Sequence, residues 1–233
     1  MRKFATYGLS ALIMLAIVAV SASINTANAQ NAGLISSILN KMEKNRQSLK
    51  SLRADISMEK YDSGIRATDK SGGKVMYLPA EGRAANVRVD WTWPAQESLS
   101  VIGGQYELFR PRLNILYKGT RASNSNRTAN SALGFLSMSG SQAKSSFDLS
   151  LLGSETLWGG VSTSHMKITP KGNADYKYAE IWVDSSGMVI QSKIISKNDD
   201  ATTIRLTNVQ KNTAVSLDQI KLQLPKGVKV VNS

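Results

Sequence analysis

The spacing of hydrophobic residues divides the chain into a helical beginning and a long β-structured remainder. After residue 33 the apolar positions recur every three or four residues, a spacing that predicts one amphipathic helix up to Leu52. They are Leu34, Ile35, Ile38, Leu39, Met42, Leu49 and Leu52. From Ala54 onward apolar and polar residues alternate, as they do in strands that bury one face.

About ten strands are predicted after this helix. The clearest is Val87–Trp93, in which every second residue is apolar and which Pro94 ends. The others alternate in the same way and are separated by turn-forming residues: 54–58, 75–77, 98–102, 106–110, 113–117, 161–169, 176–184, 188–197, 201–209 and a short strand within 220–230. Consecutive strands joined by tight turns are expected to pair as an antiparallel meander.

The alternation stops between residues 120 and 152. Residues 121–130 are small and polar, which predicts an exposed loop. Two apolar clusters of weak periodicity follow, and short helices fit them best. Their members are Leu133, Phe135, Leu136, Met138, Phe147, Leu149, Leu151 and Leu152.

These elements predict a mainly β fold with helices (α+β). A single antiparallel sheet of this length curls because of its twist, so we expect an incomplete β-barrel with the first helix and the short helices over its concave face. The candidate lining residues of that face are Val89, Trp91, Trp93, Leu99 and Val101. The pattern leaves two interpretations open: a hollow that takes a lipid-sized ligand, or an ordinary packed core.

The first 29 residues have the three parts of a secretory signal peptide. Arg2 and Lys3 precede an apolar run over 12–20, and small residues follow up to Ala29. We expect cleavage after Ala29, export to the periplasm, and one domain over residues 30–233. The alternative is an uncleaved anchor, for which the run is short against a hydrocarbon core of about 30 Å.

Composition narrows the function classes. The chain of 233 residues has no cysteine and one histidine, His165, which excludes Cys-based zinc sites, Cys nucleophiles, disulfides and His-cluster metal sites. No cofactor is expected. His165 lies in an alternating strand without a nucleophile motif or a recognisable acid partner, so we do not expect an enzyme, and we expect no effect from His165→Ala.

The net charge of +12 favours anionic partners in general. Removal of Arg2 and Lys3 with the signal peptide lowers it to 12 − 2 = +10, so the basic character belongs to the domain. Export and the scattered positions of the basic residues argue against nucleic acid as the partner.

Four segments, in this order and spacing, resemble periplasmic outer-membrane lipoprotein carriers, the LolA-like family. They are Arg88-Val-Asp-Trp-Thr-Trp-Pro94, Gly103-Gly-Gln-Tyr-Glu-Leu-Phe109-Arg-Pro111, Asp184-Ser-Ser-Gly187 and Leu224-Pro-Lys-Gly-Val-Lys-Val230. The first has an arginine six residues before a proline, and the second joins a glycine turn to a strand that ends in an aromatic residue and a proline. With the helix-first layout, the resemblance covers most of residues 34–231.

The resemblance implies a monomeric carrier, without nucleic acid, that takes acylated lipoproteins from an inner-membrane release transporter to an outer-membrane acceptor. It implies a lid made of Leu133, Phe135, Leu136, Met138, Phe147 and Leu151. It also implies that Arg88 latches this lid through hydrogen bonds to lid backbone.

Two alternatives stay open beside the resemblance. Alternation places Arg88 on the face opposite Val87, Val89 and Trp91, so Arg88 is an ordinary outer charge if those three residues face the hollow. The same fold would also suit a periplasmic binder or sensor of another lipid, such as a glycolipid or phospholipid.

Overall fold

The computed structural model describes residues 30–80, 85–120, 134–135 and 138–232 of the chain. Within these ranges, helix α1 covers residues 30–48, α2 covers Gly140–Ser146 and α3 covers Leu217–Ile220. The strands are β1 (Leu52–Asp62), β2 (Ala67–Pro79), β3 (Ala85–Trp93), β4 (Glu97–Ile102), β5 (Gln105–Arg110), β6 (Ile115–Thr120), β7 (Phe147–Leu157), β8 (Val161–Pro170), β9 (Tyr176–Asp184), β10 (Val189–Ser196), β11 (Ala201–Lys211) and β12 (Lys229–Asn232).

All twelve described strands belong to one sheet, in the order β12-β6-β5-β4-β3-β2-β1-β11-β10-β9-β8-β7. Neighbours are antiparallel except β12, which pairs in parallel with β6. β7 and β12 form the two ends of this order and do not pair with each other, so the sheet is not closed into a barrel. The prediction of a mainly β fold with one open, antiparallel sheet and an N-terminal helix is confirmed.

One face of the sheet carries the core. On this face apolar residues of neighbouring strands lie directly opposite each other, for example Val75 opposite Val89 and Met166 opposite Ile181. The register explains the burial, because partners directly opposite each other point to the same side of the sheet. Residues of β2 and β3 share one buried cluster with residues of β8, β9 and β10. Since these strands are far apart in the sheet order, the sheet curls towards this face, which is therefore concave.

Helix α1 covers part of the concave face through three buried side chains: Ile38, Leu39 and Met42. Helix α2 lies close against α1, since a Cβ added at Gly140 would stand 2.0 Å from the carbonyl oxygen of Leu39. Ser139 caps α2 by accepting a hydrogen bond from the amide of Gln142 at 3.0 Å. These contacts fix both helices over one half of the sheet.

Several predicted elements need correction. Residues 147–152, predicted as helical, lie in strand β7, where Phe147, Leu149 and Leu151 point to the concave face. The predicted strand within 220–230 is divided into the end of α3 and the short strand β12. The predicted helix up to Leu52 ends at residue 48. The predicted signal peptide, the loop 121–130 and the predicted lid residues Leu133 and Leu136 lie outside the described residues.

Candidate functional site

The two halves of the concave face differ in how far they are covered. Under the helices, on β8–β11, the side chains are fully buried: Met166, Ile168, Ile181, Ile194 and Ile204 have 0% exposure. On β2–β6 Val75, Val89, Val101 and Tyr106 of the same face are also buried, but six other large side chains of that face are only half-buried. We call this second set the concave patch, and its members are Tyr77, Val87, Trp91, Leu99, Leu108 and Tyr117.

The register of β3, β4 and β5 builds the concave patch. Val89 lies opposite Leu99, which lies opposite Leu108, so three strands contribute one continuous apolar row. A second row runs from Val87 through Val101 to the next strand. Alternate residues point to the other side, so Arg88, Asp90 and Glu107 lie on the convex face. Glu97 and Arg110 lie on the concave face, where they pair with each other at the border of the patch and Arg110 stands 5.3 Å over the ring of Tyr117. The concave patch itself contains no charged residue.

The predicted lining residues fall into three environments. Val89 and Val101 are buried beneath the surface, and Trp91 and Leu99 are half-buried members of the concave patch. Trp93 is not brought to the patch: it lies at the end of β3 and is 56% exposed. Sequence alternation assigned all five to one face, but the pairing of β3 with β4 stops at Trp91 and Glu97, so Trp93 lacks a neighbour on β4 and is exposed.

The predicted lid residues within the described ranges pack against the concave face. The ring of Phe135, which is buried, meets that of Phe147 edge-on with centroids 5.8 Å apart. Phe135 also meets Tyr176 at 6.2 Å. Burial raises the pKa of Tyr176 to about 12, which agrees with an apolar environment for this group of rings. Met138 and Leu151 are partly buried against the same core.

Arg88 lies on the convex face, and its described partners are not in the lid. Its Nε donates to both carboxylate oxygens of Asp90, at 3.1 and 2.9 Å. Its Nη1 donates to the carbonyl oxygens of Gln219 at 3.2 Å and Lys221 at 3.0 Å. The expected chemistry, an arginine bound to backbone carbonyls, is present, but those carbonyls belong to the C-terminal segment. The position agrees with the alternation of β3, which turns Arg88 away from Val89.

We call residues 212–228 the C-terminal strap. Arg53 supports it from β1, donating to the carbonyl of Ala214 at 3.0 Å and to Oε1 of Gln219 at 2.9 Å. Between the two arginine contacts the side chain of Ile220 is fully buried. The strap therefore covers the convex side of β2–β4. The strap was not predicted from the sequence, because the residues that these hydrogen bonds join are more than 130 positions apart along the chain.

His165 has acid partners that its sequence neighbourhood does not reveal. Its Nε2 lies 3.2 Å from Glu180 and its Nδ1 lies 3.3 Å from Glu155. The ring stacks on Trp182 with a centroid distance of 4.1 Å, and Trp182 donates to Glu155 at 2.7 Å. The group links β7, β8 and β9 on the convex face. This position gives His165 a structural role and corrects the expectation that it has no acid partner.

The described residues contain no group of three or more His, Cys, Asp or Glu side chains placed to hold a metal ion. No described helix combines the length and hydropathy needed to span a bilayer.

A family model described as "Outer membrane lipoprotein carrier protein LolA" matches residues 47–223. Among solved structures, MucB aligns with a TM-score of 0.55 and 16% identity, over 82% of this chain and 63% of the MucB chain. The chain thus spans less than two thirds of MucB. An uncharacterised conserved protein from Thermus thermophilus aligns with a TM-score of 0.54 and 15% identity, over 85% of this chain and 98% of the other. At these identities the likeness concerns the fold alone. No curated protein sequence matches significantly.

Proposed function

The chain belongs to the family of the outer membrane lipoprotein carrier protein LolA, and from that premise we propose that it carries lipoproteins across the periplasm by holding their acyl chains against the concave patch. The observation that supports this proposal is the half-buried apolar patch on β2–β6 beside a fully buried core, with the charges of that face in β3–β6, Glu97 and Arg110, paired with each other at its border. A surface of this kind removes hydrocarbon from water. Proteins of this family are carriers or binders, generally of the envelope.

The proposed cargo binds through its hydrocarbon. A 16-carbon chain has about 15 methylenes, and full burial would contribute roughly 12 kcal/mol at ~0.8 kcal/mol each. Several fully buried chains would bind too tightly for delivery. An open sheet with a half-covered patch lowers this affinity, because part of each chain stays in contact with water. Incomplete burial is thus suited to a carrier that must pass its cargo from an inner-membrane transporter to an outer-membrane acceptor.

The predicted lid can lower the affinity further. Phe135 is buried against Phe147 and Tyr176 in the structure, so cargo that displaces it must first break these ring contacts. The free energy of that displacement is subtracted from the binding free energy. We expect the lid to cover apolar surface when the carrier is empty and to yield when it is loaded.

A second candidate is carriage or sensing of another lipid. It is favoured by the same patch, because apolar side chains select acyl chains and do not distinguish one headgroup from another. A glycolipid or a phospholipid would satisfy this surface as well as a triacylated lipoprotein does.

The test incubates mature protein (residues 30–233) with inner-membrane vesicles that contain a labelled lipoprotein and its release machinery. Native mass spectrometry then identifies what the soluble protein removes. A 1:1 complex that requires the acyl chains supports lipoprotein carriage, and phospholipid or glycolipid alone supports the second candidate. An empty protein would contradict both and return the concave patch to an ordinary core.

A matched pair of variants tests the site itself. Leu99→Glu places a charge in the concave patch and is expected to abolish the complex. Ile65→Glu places the same charge on the β1–β2 turn, where Ile65 is 75% exposed, and is expected to leave the complex intact. If both variants lose the complex to the same extent, or if neither loses it, the patch is not the binding surface.

The signal peptide is tested separately. We propose that the exported protein begins at Gln30, directly after the small residues that end at Ala29. Intact mass measurement on protein recovered from a periplasmic extract should give the chain without residues 1–29. Recovery of the full chain in the membrane fraction would favour the uncleaved anchor.

A further inference from the structure

Three turns at one edge of the sheet combine exposed apolar and basic side chains. In a meander, the β3–β4 and β5–β6 turns lie at the same edge, and the turn before β12 joins them because β12 runs parallel to β6. Trp93 is 56% exposed on the first turn and Leu113 is 57% exposed on the second. Arg112, Lys226 and Lys229 are exposed beside them. We call these five residues the docking edge.

Specific contacts bring the three turns to one level. Arg110 at the end of β5 forms an ion pair with Glu97 at the start of β4, with Nε and Oε1 3.0 Å apart. Asn114 donates through its side chain to the carbonyl of Gly227 at 3.0 Å, and the amide of Lys229 donates to the carbonyl of Asn114 at 3.0 Å. Since neighbouring strands are about 4.8 Å apart, the tips of the first two turns lie roughly 10 Å from each other.

The charge of the docking edge is strongly one-sided. Across residues 91–97, 110–115 and 221–232 the sequence contains five Lys or Arg residues and one acid, Glu97. Glu97 is already paired with Arg110. Arg112, Lys226 and Lys229 are therefore available to an anionic partner, and no carboxylate in these segments opposes them.

We propose that the docking edge binds the surface of an anionic lipid bilayer. Tryptophan favours the headgroup level of a membrane, where its ring is partly buried and its N–H remains hydrated. Leucine adds apolar area at the same depth, and lysine and arginine near the surface each gain attraction from anionic headgroups. An acidic protein partner would use the same cations and apolar side chains, and it predicts no binding to vesicles that contain lipid alone.

The docking edge stands apart from the proposed cargo site. Its residues lie in the turns and at the strand ends of one edge, whereas the concave patch lies on the face between the strand ends. The inference does not require that the patch hold a lipid, so failure of either proposal leaves the other intact. If both hold, Trp93 at the membrane surface is two residues from Trp91 in the patch, which gives acyl chains a short path.

The test is flotation of mature protein with vesicles of phosphatidylcholine alone or with 30 mol% phosphatidylglycerol. We expect binding to the anionic vesicles at low salt and its loss at high salt, because screening weakens attraction between exposed charges. Each neutralised cation should lower the partition coefficient about fivefold, so Arg112→Gln with Lys226→Gln should lower it about 25-fold. Trp93→Ser should lower it about tenfold, and Leu113→Ser provides a second apolar variant if the first fails to fold.

The opposite edge offers matched controls. Trp158 lies on the β7–β8 turn at that edge and is 85% exposed against 56% for Trp93, so Trp158→Ser removes a more accessible tryptophan. Lys41 and Lys44 are exposed on α1 near the β9–β10 turn, so Lys41→Gln with Lys44→Gln makes the same change in net charge. Both controls are expected to float like the unmodified protein. Equal losses in control and edge variants, equal binding to neutral vesicles, or no vesicle binding would each overturn the proposal.

Discussion

Replacing Arg88 by methionine separates two roles for this residue, a support for the C-terminal strap and a latch for the lid. In the structure the guanidinium donates to the carbonyls of Gln219 and Lys221 and to Asp90, and all of these partners lie on the convex face. Methionine keeps the length of the side chain and removes every donor. We expect the strap to loosen and the lid to be unaffected.

The magnitude follows from burial. The side chains of Arg88 and Asp90 are 21% and 32% exposed. Breaking this pair should therefore cost more stability than breaking a fully exposed ion pair and less than breaking a buried one. Asp90 keeps a hydrogen bond from Ser98 at 2.6 Å, which limits the cost of leaving it without the arginine. With two hydrogen bonds to solvent-accessible carbonyls, the loss in free energy of unfolding should be about 2 kcal/mol. For a domain of this size that lowers Tm by about 4–8 °C.

Thermal unfolding followed by circular dichroism measures the shift, and limited trypsin digestion reports the strap, which contains Lys221 and Lys226. We expect faster cleavage at these two lysines in Arg88→Met. Arg46→Met is the control, since Arg46 forms an exposed i,i+3 pair with Glu43 and its loss should change stability by less than about 0.5 kcal/mol. An unchanged Tm and a protected strap, together with altered lipid binding, would refute the reasoning and restore the lid latch.

Three further predictions concern the helices, the lid and the pH dependence of the fold. Gly140→Ala should destabilise the protein by about 1–3 kcal/mol, because the added Cβ would stand 2.0 Å from a carbonyl oxygen of α1. Gly33→Ala, on α1 with nothing within 4 Å, should be neutral or slightly stabilising in the same denaturant titration, and equal losses would contradict the close helix contact. Phe135→Ala should cost about 3–4 kcal/mol by removing a buried ring, and a loss below about 1 kcal/mol would show that the lid segment does not pack as described. Tyr176 has a pKa raised to about 12 in the folded protein, so the unfolded chain gives up its proton first and stability should fall as pH rises from about 10 to about 12. Tyr176→Phe should weaken that fall in alkaline unfolding curves, and identical slopes would contradict the burial of the phenol.

The local sequence pattern was sufficient to predict strands and their faces where apolar and polar residues alternate and where strands that are consecutive in sequence are also neighbours in the sheet. The β3–β4–β5 meander and the face of Val89 follow from period and turn chemistry alone, and alternation also turns Arg88 away from that face. Strand β7 shows where the pattern was misinterpreted. Phe147, Leu149 and Leu151 alternate with polar residues, but Leu152 directly after Leu151 obscured the period. The β-bulge between Leu151 and Gly153 explains the irregularity.

Part of the candidate site could not be predicted from the local sequence pattern. Trp91 and Leu99 were predicted to line the concave face, and the register places them there. That their half of the face is less covered than the half under α1 and α2 depends on where two helices pack, which no strand's own sequence specifies. The same applies to Trp93, whose exposure follows from its position at a strand end.

The sequence by itself determined the fold class, the first helix and most of the strands, because hydrophobic periodicity and turn residues act over a few positions. Only the tertiary structure decided the partners of Arg88, the acid neighbours of His165 and the assembly of the docking edge. Each of these joins segments separated along the chain, from Gln219 beside Arg88 to Gly227 beside Asn114. Such contacts arise from the order and curl of a twelve-stranded sheet within the described residues, and a local pattern carries no information about which distant segment the sheet brings near.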